Sequence, residues 1–176
     1  MTNRILLCTY EGEAYLEAQL ASMEGQTESN FRLLLSDDAS TDRSFAIGEA
    51  AAAHDERITA IRRESGSGSA ARHFLEGLRN PRFFSAADES DYYLFSDQDD
   101  IWHPDKLAVE ARAMRRLEAR YGKALPLLVH CDMRVVDGAG REIAPSYVRY
   151  QKMSPARRQL RQLLVQNNVT GGAMLM

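Results

Sequence analysis

The chain has few cysteines, no long hydrophobic run and no strong excess of charge of either sign. Only two of its 176 residues are cysteine, and neither Cys8 nor Cys131 has the Cys-x-x-Cys or histidine spacing of a zinc site. We expect two buried, reduced thiols and no disulfide. The apolar stretches at residues 5–8 and 125–129 fall far short of the roughly 18 residues needed to cross a bilayer.

Charge and composition exclude further classes of protein. Lys and Arg number 22 against 25 Asp and Glu, a net charge of -3, so no general positive field attracts nucleic acid. Hydrophobic residues make up 44% and charged residues 27% of the chain, which is typical of a folded globular domain. Because no signal sequence precedes the first apolar run, we expect one cytoplasmic domain without a nucleic-acid partner.

Short apolar runs alternate with longer stretches rich in Ala, Leu and Glu. The runs predict five buried strands, at residues 5–8, 31–35, 58–61, 92–95 and 127–129. The stretches between and after them predict four helices, at residues 15–23, 44–53, 70–78 and 106–120. This alternation predicts an α/β fold with a mainly parallel central sheet, helices on both faces, and ligands beyond the carboxyl ends of the strands.

Polar turns follow most of the predicted strands. Residues 9–12 follow the first strand, residues 36–42 the second and residues 96–100 the fourth. A Gly/Ser loop at residues 65–69 follows the third, and its composition predicts flexibility. In a parallel sheet these turns share one edge, so their carboxylates would converge there. The second turn has an alternative explanation that needs no ligand, because its Ser, Thr and Asp residues could simply cap the next helix.

The turn after the fourth strand has the pattern of a metal site. In an extended segment, Asp97 and Asp99 would point to one side, and Gln98 and Asp100 to the other. Such a pair suits Mg²⁺ or Mn²⁺, which take one or two protein carboxylates and complete their shell with water and phosphates. The alternative, that these residues only cap the next helix, is weaker because residues 103–105 already form a good helix start.

Several motifs in a fixed order resemble one enzyme family. They are Leu7-Cys8-Thr9-Tyr10, Gln19-Leu20-x-Ser22, Gln26-Thr27, the turn at 36–42, the run at 95–107, and residues 167–171. This series resembles the family 2 inverting glycosyltransferases of GT-A fold, most of all bacterial rhamnosyltransferase-like members that build cell-surface polysaccharides. The resemblance implies a Rossmann-like nucleotide-binding domain. It would transfer a sugar, with inversion and with Mg²⁺ or Mn²⁺, from a nucleoside-diphosphate sugar to an acceptor hydroxyl.

The resemblance implies a role for each matched position. A UDP- or dTDP-sugar donor would contact Thr9, Tyr10, Glu11, Asp37, Asp38, Arg72, Asp97 and Gln98. Asp99, together with Asp97, would ligate the metal. Thr170 and Gly171 would border the acceptor, a saccharide or a lipid-linked saccharide. The catalytic base is expected beyond residue 176, and Asp132 is the one substitute within the chain.

The resemblance also divides the chain into two parts. Residues 1–132 would form the nucleotide-sugar-binding half, and residues 133–176 the start of an acceptor-binding half. Because the chain ends in an apolar segment, we expect a C-terminally truncated piece that binds donor but transfers sugar poorly or not at all. A basic excess at residues 141–162, which includes Arg158, and the apolar spacing within 155–165 predict either a solvated helix or one that contacts a partner or the inner face of the plasma membrane.

Two other functions stay open from the sequence. Residues 92–99 also resemble the strand and Asp-x-Asp signature of phosphohydrolases in which an aspartate such as Asp97 becomes phosphorylated, although that signature normally opens the chain. The second alternative is a non-catalytic module that binds a nucleotide sugar. Glu11 and His73 stand where the family commonly has Asn, so the identity of the donor is open.

Overall fold

The computed structural model describes residues 1–84, 88, 90–157 and 159–176. Over these residues, a six-stranded sheet has the order β3-β2-β1-β4-β8-β5, and a separate hairpin joins β6 to β7. The strands are β1 Asn3–Thr9, β2 Phe31–Asp37, β3 Ile58–Arg62, β4 Tyr92–Ser96, β5 Val129–His130, β6 Val135–Val136, β7 Glu142–Ala144 and β8 Met174–Leu175. The helices are α1 Leu16–Glu24, α2 Ser44–His54, α3 Ala70–Gly77, α4 Lys106–Tyr121, α5 Tyr147–Tyr150 and α6 Leu160–Leu163, with a 3₁₀ turn at Gly171–Ala173.

The central strands of the sheet are parallel. Strand β1 pairs with β2 on one side and with β4 on the other, in a register that sets Leu7 opposite both Leu35 and Ser96. Strand β3 adds to β2 in the same direction, and β8 is inserted antiparallel between β4 and β5. The mainly parallel sheet is therefore confirmed, and the loops that follow β1 to β4 leave from one edge.

Side chains that alternate along the strands build a core on each face of the sheet. Ile5 and Leu7 point to the face covered by α1, α2 and α4, whereas Leu6 and Cys8 point to the face covered by α3. All four side chains are buried. The prediction of helices on both faces is confirmed.

The second part of the chain differs from the sequence-based expectation. The strand expected at 127–129 is the two-residue β5, and the helix expected within 155–165 is shorter than expected, because among the described residues of that range only Leu160–Leu163 are helical. The side chain of Asn168 donates to the carbonyls of Ser154 and Arg157, which holds the preceding residues in an irregular loop. Arg158 lies outside the described residues.

Both cysteines are free in the structure. Cys8 is buried, as expected, whereas Cys131 is only partly buried. None of the described helices combines the length and the apolar character that a membrane crossing requires.

Candidate functional site

A cleft of about 780 Å³ lies at the carboxyl edge of the central strands. It is lined by the loops after β1, β2, β3 and β4 and by the start of α3, namely Cys8, Thr9, Tyr10, Asp38, Gly66, Gly68, Ser69, Ala70, His73, Phe74, Asp97, Gln98 and Asp99. The expectation that the polar turns meet at one edge is confirmed. The sequence-based site residues in this lining are Thr9, Tyr10, Asp38, Asp97, Gln98 and Asp99.

Asp38 anchors the Gly/Ser loop to one wall of the cleft. Its carboxylate accepts hydrogen bonds from the backbone N–H of Ser67 at 2.8 Å and from the Ser67 hydroxyl at 2.6 Å, and it forms an ion pair with Arg63 at 2.8 Å. Burial opposes ionisation of Asp38, but these hydrogen bonds and the charges of His73 and Arg63 outweigh burial and lower its pKa. Because Ser67 is buried and held, the expectation of a flexible loop is wrong at this position.

His73, which stands where the family commonly has Asn, lines the cleft. Its ring is buried in the cleft wall, and its Nε2 lies 2.9 Å from the hydroxyl of Ser36. Burial lowers the pKa of His73, although the charge of Asp38 opposes this effect, so the imidazole is neutral near pH 7. Burial raises the pKa of the thiol of Cys8, another residue of the lining, which makes it a poor nucleophile.

Glu11 and Asp37 are sequence-based site residues that the structure places outside the cleft lining. The carboxylate of Glu11 accepts from the backbone N–H of Thr41 at 2.8 Å and from the Thr41 hydroxyl at 3.0 Å. Asp37 is fully buried and accepts from the backbone N–H of Ser40 at 3.0 Å. Both carboxylates therefore hold the turn after β2 in place.

Arg72 also lies outside the cleft lining in this structure. Its Nε donates to Glu76 at 2.9 Å, and Glu76 also pairs with Arg63. The Arg72 side chain is 68% exposed, so this ion pair is a weak restraint. The guanidinium lies on the start of α3 and is free to exchange its partner.

The carboxylates after β4 lack partners. Within the described residues, none forms a hydrogen bond or an ion pair with the carboxylate of Asp97, Asp99 or Asp100. Asp97 keeps contact with solvent, yet partial burial and the charge of Asp99 raise its pKa. Burial and the charges of Asp97 and Asp99 raise the pKa of Asp100 to about 6, against the opposing charge of Lys106. The turn after β4 is therefore acidic, and its carboxylates are without ion-pair partners among the described residues.

The side chains in this turn do not alternate as an extended strand would. Strand β4 ends one residue before Asp97, and the chain turns at residues 98–99. A Cβ placed on Gly172 would lie 2.7 Å from Asp100 Oδ2 and 3.5 Å from Asp97 Oδ2. The expectation that Asp100 faces away from Asp97 is therefore wrong, since both carboxylates approach the same glycine. Sequence reasoning missed Gly172, although the Gly-Gly pair after Thr170 was a visible signal.

The donor atoms in this turn fit a hard divalent cation. No group of three or more His, Cys, Asp or Glu side chains forms a closed metal cage in the part of the chain that the structure describes. Mg²⁺ and Mn²⁺ commonly take only one or two protein carboxylates and fill their other positions with phosphate oxygens and water. Asp97, Asp99 and Asp100 supply such carboxylates without needing to break any hydrogen bond.

A family model described as Glycosyl transferase family 2 matches residues 4–175 of the chain. The chain belongs to glycosyl transferase family 2. It is 32% identical to the dTDP-rhamnosyl transferase RfbG of Shigella flexneri over 102 residues, which cover 57% of this chain and 34% of the relative. It is 27% identical over 150 residues to the Escherichia coli glucosyltransferase WfgD, covering 85% of this chain and 53% of the relative. The chain thus spans between a third and about half of these relatives.

Solved structures share the GT-A fold of this family 2 glycosyltransferase chain. The Staphylococcus aureus protein TarS, residues 1–349 in complex with UDP, superposes with a TM-score of 0.53 and 24% identity, covering 66% of this chain and 32% of that one. The mannosyltransferase PcManGT of Pyrobaculum calidifontis, with GDP-Man and Mn²⁺, gives a TM-score of 0.50 at 22% identity, covering 62% and 31%. The resemblance read from the motifs is confirmed, and the phosphohydrolase alternative is left without support.

In this family 2 chain, Thr170 and Gly171 lie just outside the lining of the cleft. Thr170 is partly buried and accepts a hydrogen bond from the backbone N–H of Ala173 at 3.0 Å, which starts the 3₁₀ turn. Gly171 is exposed, and a Cβ there would meet nothing within 4 Å. The two residues directly precede Gly172, the glycine that the carboxylates of Asp97 and Asp100 approach.

Asp132 is poorly suited to act as the base of this family 2 chain. Its carboxylate accepts from the Ser146 hydroxyl at 2.6 Å and from the backbone N–H groups of Met133 and Val148 at 2.8 and 3.0 Å. Burial opposes ionisation, but these hydrogen bonds outweigh it and lower the pKa of Asp132. A carboxylate so engaged is a weak proton acceptor, and Asp132 does not line the cleft.

Proposed function

We propose that this chain binds the donor of an inverting glycosyltransferase, a UDP- or dTDP-sugar, together with Mg²⁺ or Mn²⁺. The enzyme would build a cell-surface polysaccharide. The observation that carries the proposal is one cleft whose lining combines the exposed Tyr10 side chain with the unpaired carboxylates of Asp97 and Asp99, beside which lies the unpaired carboxylate of Asp100. Residues 1–132 would form the donor-binding half, and residues 133–176 would begin the acceptor side.

The nucleobase is assigned to the end of the cleft that holds Tyr10. Tyr10 is 57% exposed, which leaves its ring open for a base to stack on. A carboxylate has roughly four lone-pair positions. In Asp38, Ser67 takes two of them and Arg63 takes one, so one remains to accept from a base N–H. Thr9 and His73 complete this end of the lining.

The diphosphate is assigned to the end that holds the unpaired carboxylates. These carboxylates repel a diphosphate, so binding there requires a cation between the two. Asp99 and Asp97 would hold it. When bound, a divalent cation stabilises the charge that develops on a departing diphosphate. The complex of PcManGT with GDP-Man and Mn²⁺ supports this assignment by fold likeness.

The acceptor is assigned to the side bordered by Thr170 and Gly171. A saccharide or a lipid-linked saccharide is supported by the names of the relatives, since WfgD acts on a diphosphoundecaprenol-linked sugar. Peripheral contact with the inner face of the plasma membrane would suit such an acceptor. The exposed side chains of Leu160 and Leu164, next to Arg161, support that part of the proposal.

The proposal is tested by thermal unfolding with a panel of UDP, dTDP and GDP, each with Mn²⁺ and with EDTA. We expect UDP or dTDP to raise Tm in Mn²⁺ and much less in EDTA, because a ligand that binds only the native state stabilises it. Asp99→Ala should abolish the metal dependence. Asp105→Ala, which removes an exposed carboxylate at the start of α4, should preserve it. Equal stabilisation with and without metal, or full metal dependence in Asp99→Ala, would contradict the proposal.

A further inference from the structure

The side chain of Gln98 binds the backbone of the loop that follows β1. Its Oε1 accepts from the backbone N–H of Tyr10 at 2.7 Å and from the Thr9 hydroxyl at 2.8 Å, and its Nε2 donates to the carbonyl of Tyr10 at 3.1 Å. A primary amide carries a donor and an acceptor side by side, as a backbone residue does. Gln98 therefore pairs with Tyr10 as a neighbouring strand would.

This pairing continues the ladder between β1 and β4 beyond its backbone part. The last paired positions of the two strands are Leu7 and Ser96. Two residues further along each chain, the same register sets Thr9 opposite Gln98. The backbone turns away after Ser96, and the Gln98 side chain takes over the hydrogen bonding that the backbone no longer provides.

Gly12 closes the space around the amide of Gln98. A Cβ at position 12 would lie 2.7 Å from both Cδ and Oε1 of Gln98 and 2.8 Å from the hydroxyl oxygen of Thr9. Contacts this short force a neighbour to move. The glycine thus permits the Gln98 amide to occupy its place, and it is an observation independent of the hydrogen bonds.

The residues on either side of this pairing all line the same cleft. Asp97 and Asp99 flank Gln98 in the chain, and the Tyr10 ring stands exposed in the cleft. We propose that Gln98 is a positioning residue that fixes the direction of the Asp97 and Asp99 carboxylates relative to Tyr10. This inference rests on the proposed function and replaces the donor contact that the resemblance implied for Gln98. Its Oε1 is already occupied by two donors from its own chain.

The test replaces Gln98 by a side chain of similar length that forms no comparable hydrogen bond. Gln98→Met removes all three hydrogen bonds without changing the charge. Gln26→Met is the matched control, because the buried Gln26 amide also makes three hydrogen bonds, to the carbonyls of Ser22 and His103 and from the backbone N–H of Leu107. Gly12→Ala is the second variant, because it displaces the Gln98 amide and leaves every hydrogen-bonding group in the chain.

Two readouts are measured on each protein. The first is the Kd of Mn²⁺ in the presence of UDP, from the loss of the free Mn²⁺ signal in electron paramagnetic resonance. The second is hydrogen exchange at the Tyr10 amide without ligands, measured by NMR. We expect Gln98→Met and Gly12→Ala to weaken Mn²⁺ binding by about tenfold, as for groups that orient metal ligands. Both should also speed exchange at Tyr10. Gln26→Met should lower Tm while changing neither readout.

The outcomes separate this inference from the proposed function. If the wild-type chain binds Mn²⁺ with UDP and both Gln98→Met and Gly12→Ala bind it equally well, the positioning role is overturned and the donor assignment stands. If the wild-type chain binds neither ligand, the donor assignment is overturned and the positioning role falls with it. A Tyr10 amide that exchanges at the wild-type rate in Gln98→Met also overturns the role. If Gln98→Met does not fold, Gly12→Ala decides the question by the same two readouts.

Discussion

The acidic turns after β2 and β4 are similar in sequence, but their carboxylates differ in their hydrogen-bond and ion-pair partners. After β2, Asp38 is paired with Ser67 and Arg63, and the net effect of its surroundings is a lowered pKa. After β4, Asp97 and Asp100 have no such partners among the described residues, and their pKa values are raised. The difference shows that one carboxylate cluster is already used to hold the structure together. The carboxylates of the other have no such structural partners, and under the proposed function they would bind a cation together with the ligand.

The largest effect on stability should come from removing the carboxylate of Asp38, which has hydrogen-bond and ion-pair partners within the chain. Asp38→Ala leaves Arg63 and Ser67 without their buried partner, and we expect it to lower the free energy of unfolding by about 3 kcal/mol. Urea denaturation measures this. Asp137→Ala is the control, since it also removes an Asp paired with an arginine, Arg141, but on the surface. If Asp38→Ala costs no more than Asp137→Ala, the Asp38 turn is not a structural anchor.

The next effect concerns the glycine that the unpaired carboxylates approach. Gly172→Ala would force the Asp100 carboxylate to move beside Asp97, and we expect about tenfold weaker UDP binding in Mn²⁺. Calorimetric titration measures the affinity. Gly171→Ala places its methyl group in open space and should leave this affinity unchanged. Equal behaviour of the two variants would show that the approach of Asp97 and Asp100 to Gly172 has no part in metal binding.

A smaller effect of opposite sign should come from removing one of the unpaired charges. In EDTA near neutral pH, Asp100→Asn relieves repulsion by Asp97 and Asp99, and we expect the free energy of unfolding to rise by about 1 kcal/mol. Urea denaturation compares the variant with the wild-type chain. If the substitution instead destabilises the protein, Asp100 has a stabilising partner, and the two turns do not differ in the way described above.

The smallest effect is a pH dependence that distinguishes the two turns. The pKa of folded Asp100 is about 6, above its ordinary value, so the native state binds more protons than the unfolded chain between these two values. Relative to Asp100→Asn, the wild-type chain in EDTA should therefore become more stable as the pH falls from about 7.5 to about 5. The contribution of Asp38, whose pKa is lowered, should be lost only below about pH 4. A constant difference between wild type and Asp100→Asn in urea denaturation at both pH values would contradict this assignment.

The long elements of the fold could be predicted because each buries a continuous apolar pattern. The first strand was expected at residues 5–8 and is Asn3–Thr9, since its polar ends are buried by strand pairing that hydropathy does not encode. Strand β8 could not be predicted, because it has two residues and pairs with β4 across some eighty positions of the chain. The helix expected within 155–165 is reduced to Leu160–Leu163, because apolar spacing alone does not supply a surface on which a longer helix can pack.

The site could be predicted only as far as topology determines it. Parallel strands bring Asp38, Asp97 and Asp99 to one cleft, and this much follows from the order of strands and turns. Two other contacts depend on how loops from distant parts of the chain turn. The Ser67 hydroxyl donates to Asp38, and Gln98 pairs with the backbone of Tyr10 in the loop after β1. No local pattern in the sequence encodes those contacts.

The central claim is that the unpaired carboxylates after β4 bind a divalent cation together with a nucleoside diphosphate. Isothermal titration calorimetry of UDP into the wild-type chain and Asp99→Ala, each in Mn²⁺ and in EDTA, tests it most directly. We expect UDP to bind the wild-type chain at least about tenfold more tightly in Mn²⁺, and we expect this difference to vanish in Asp99→Ala. The same UDP affinity in Mn²⁺ and in EDTA for the wild-type chain would contradict the account.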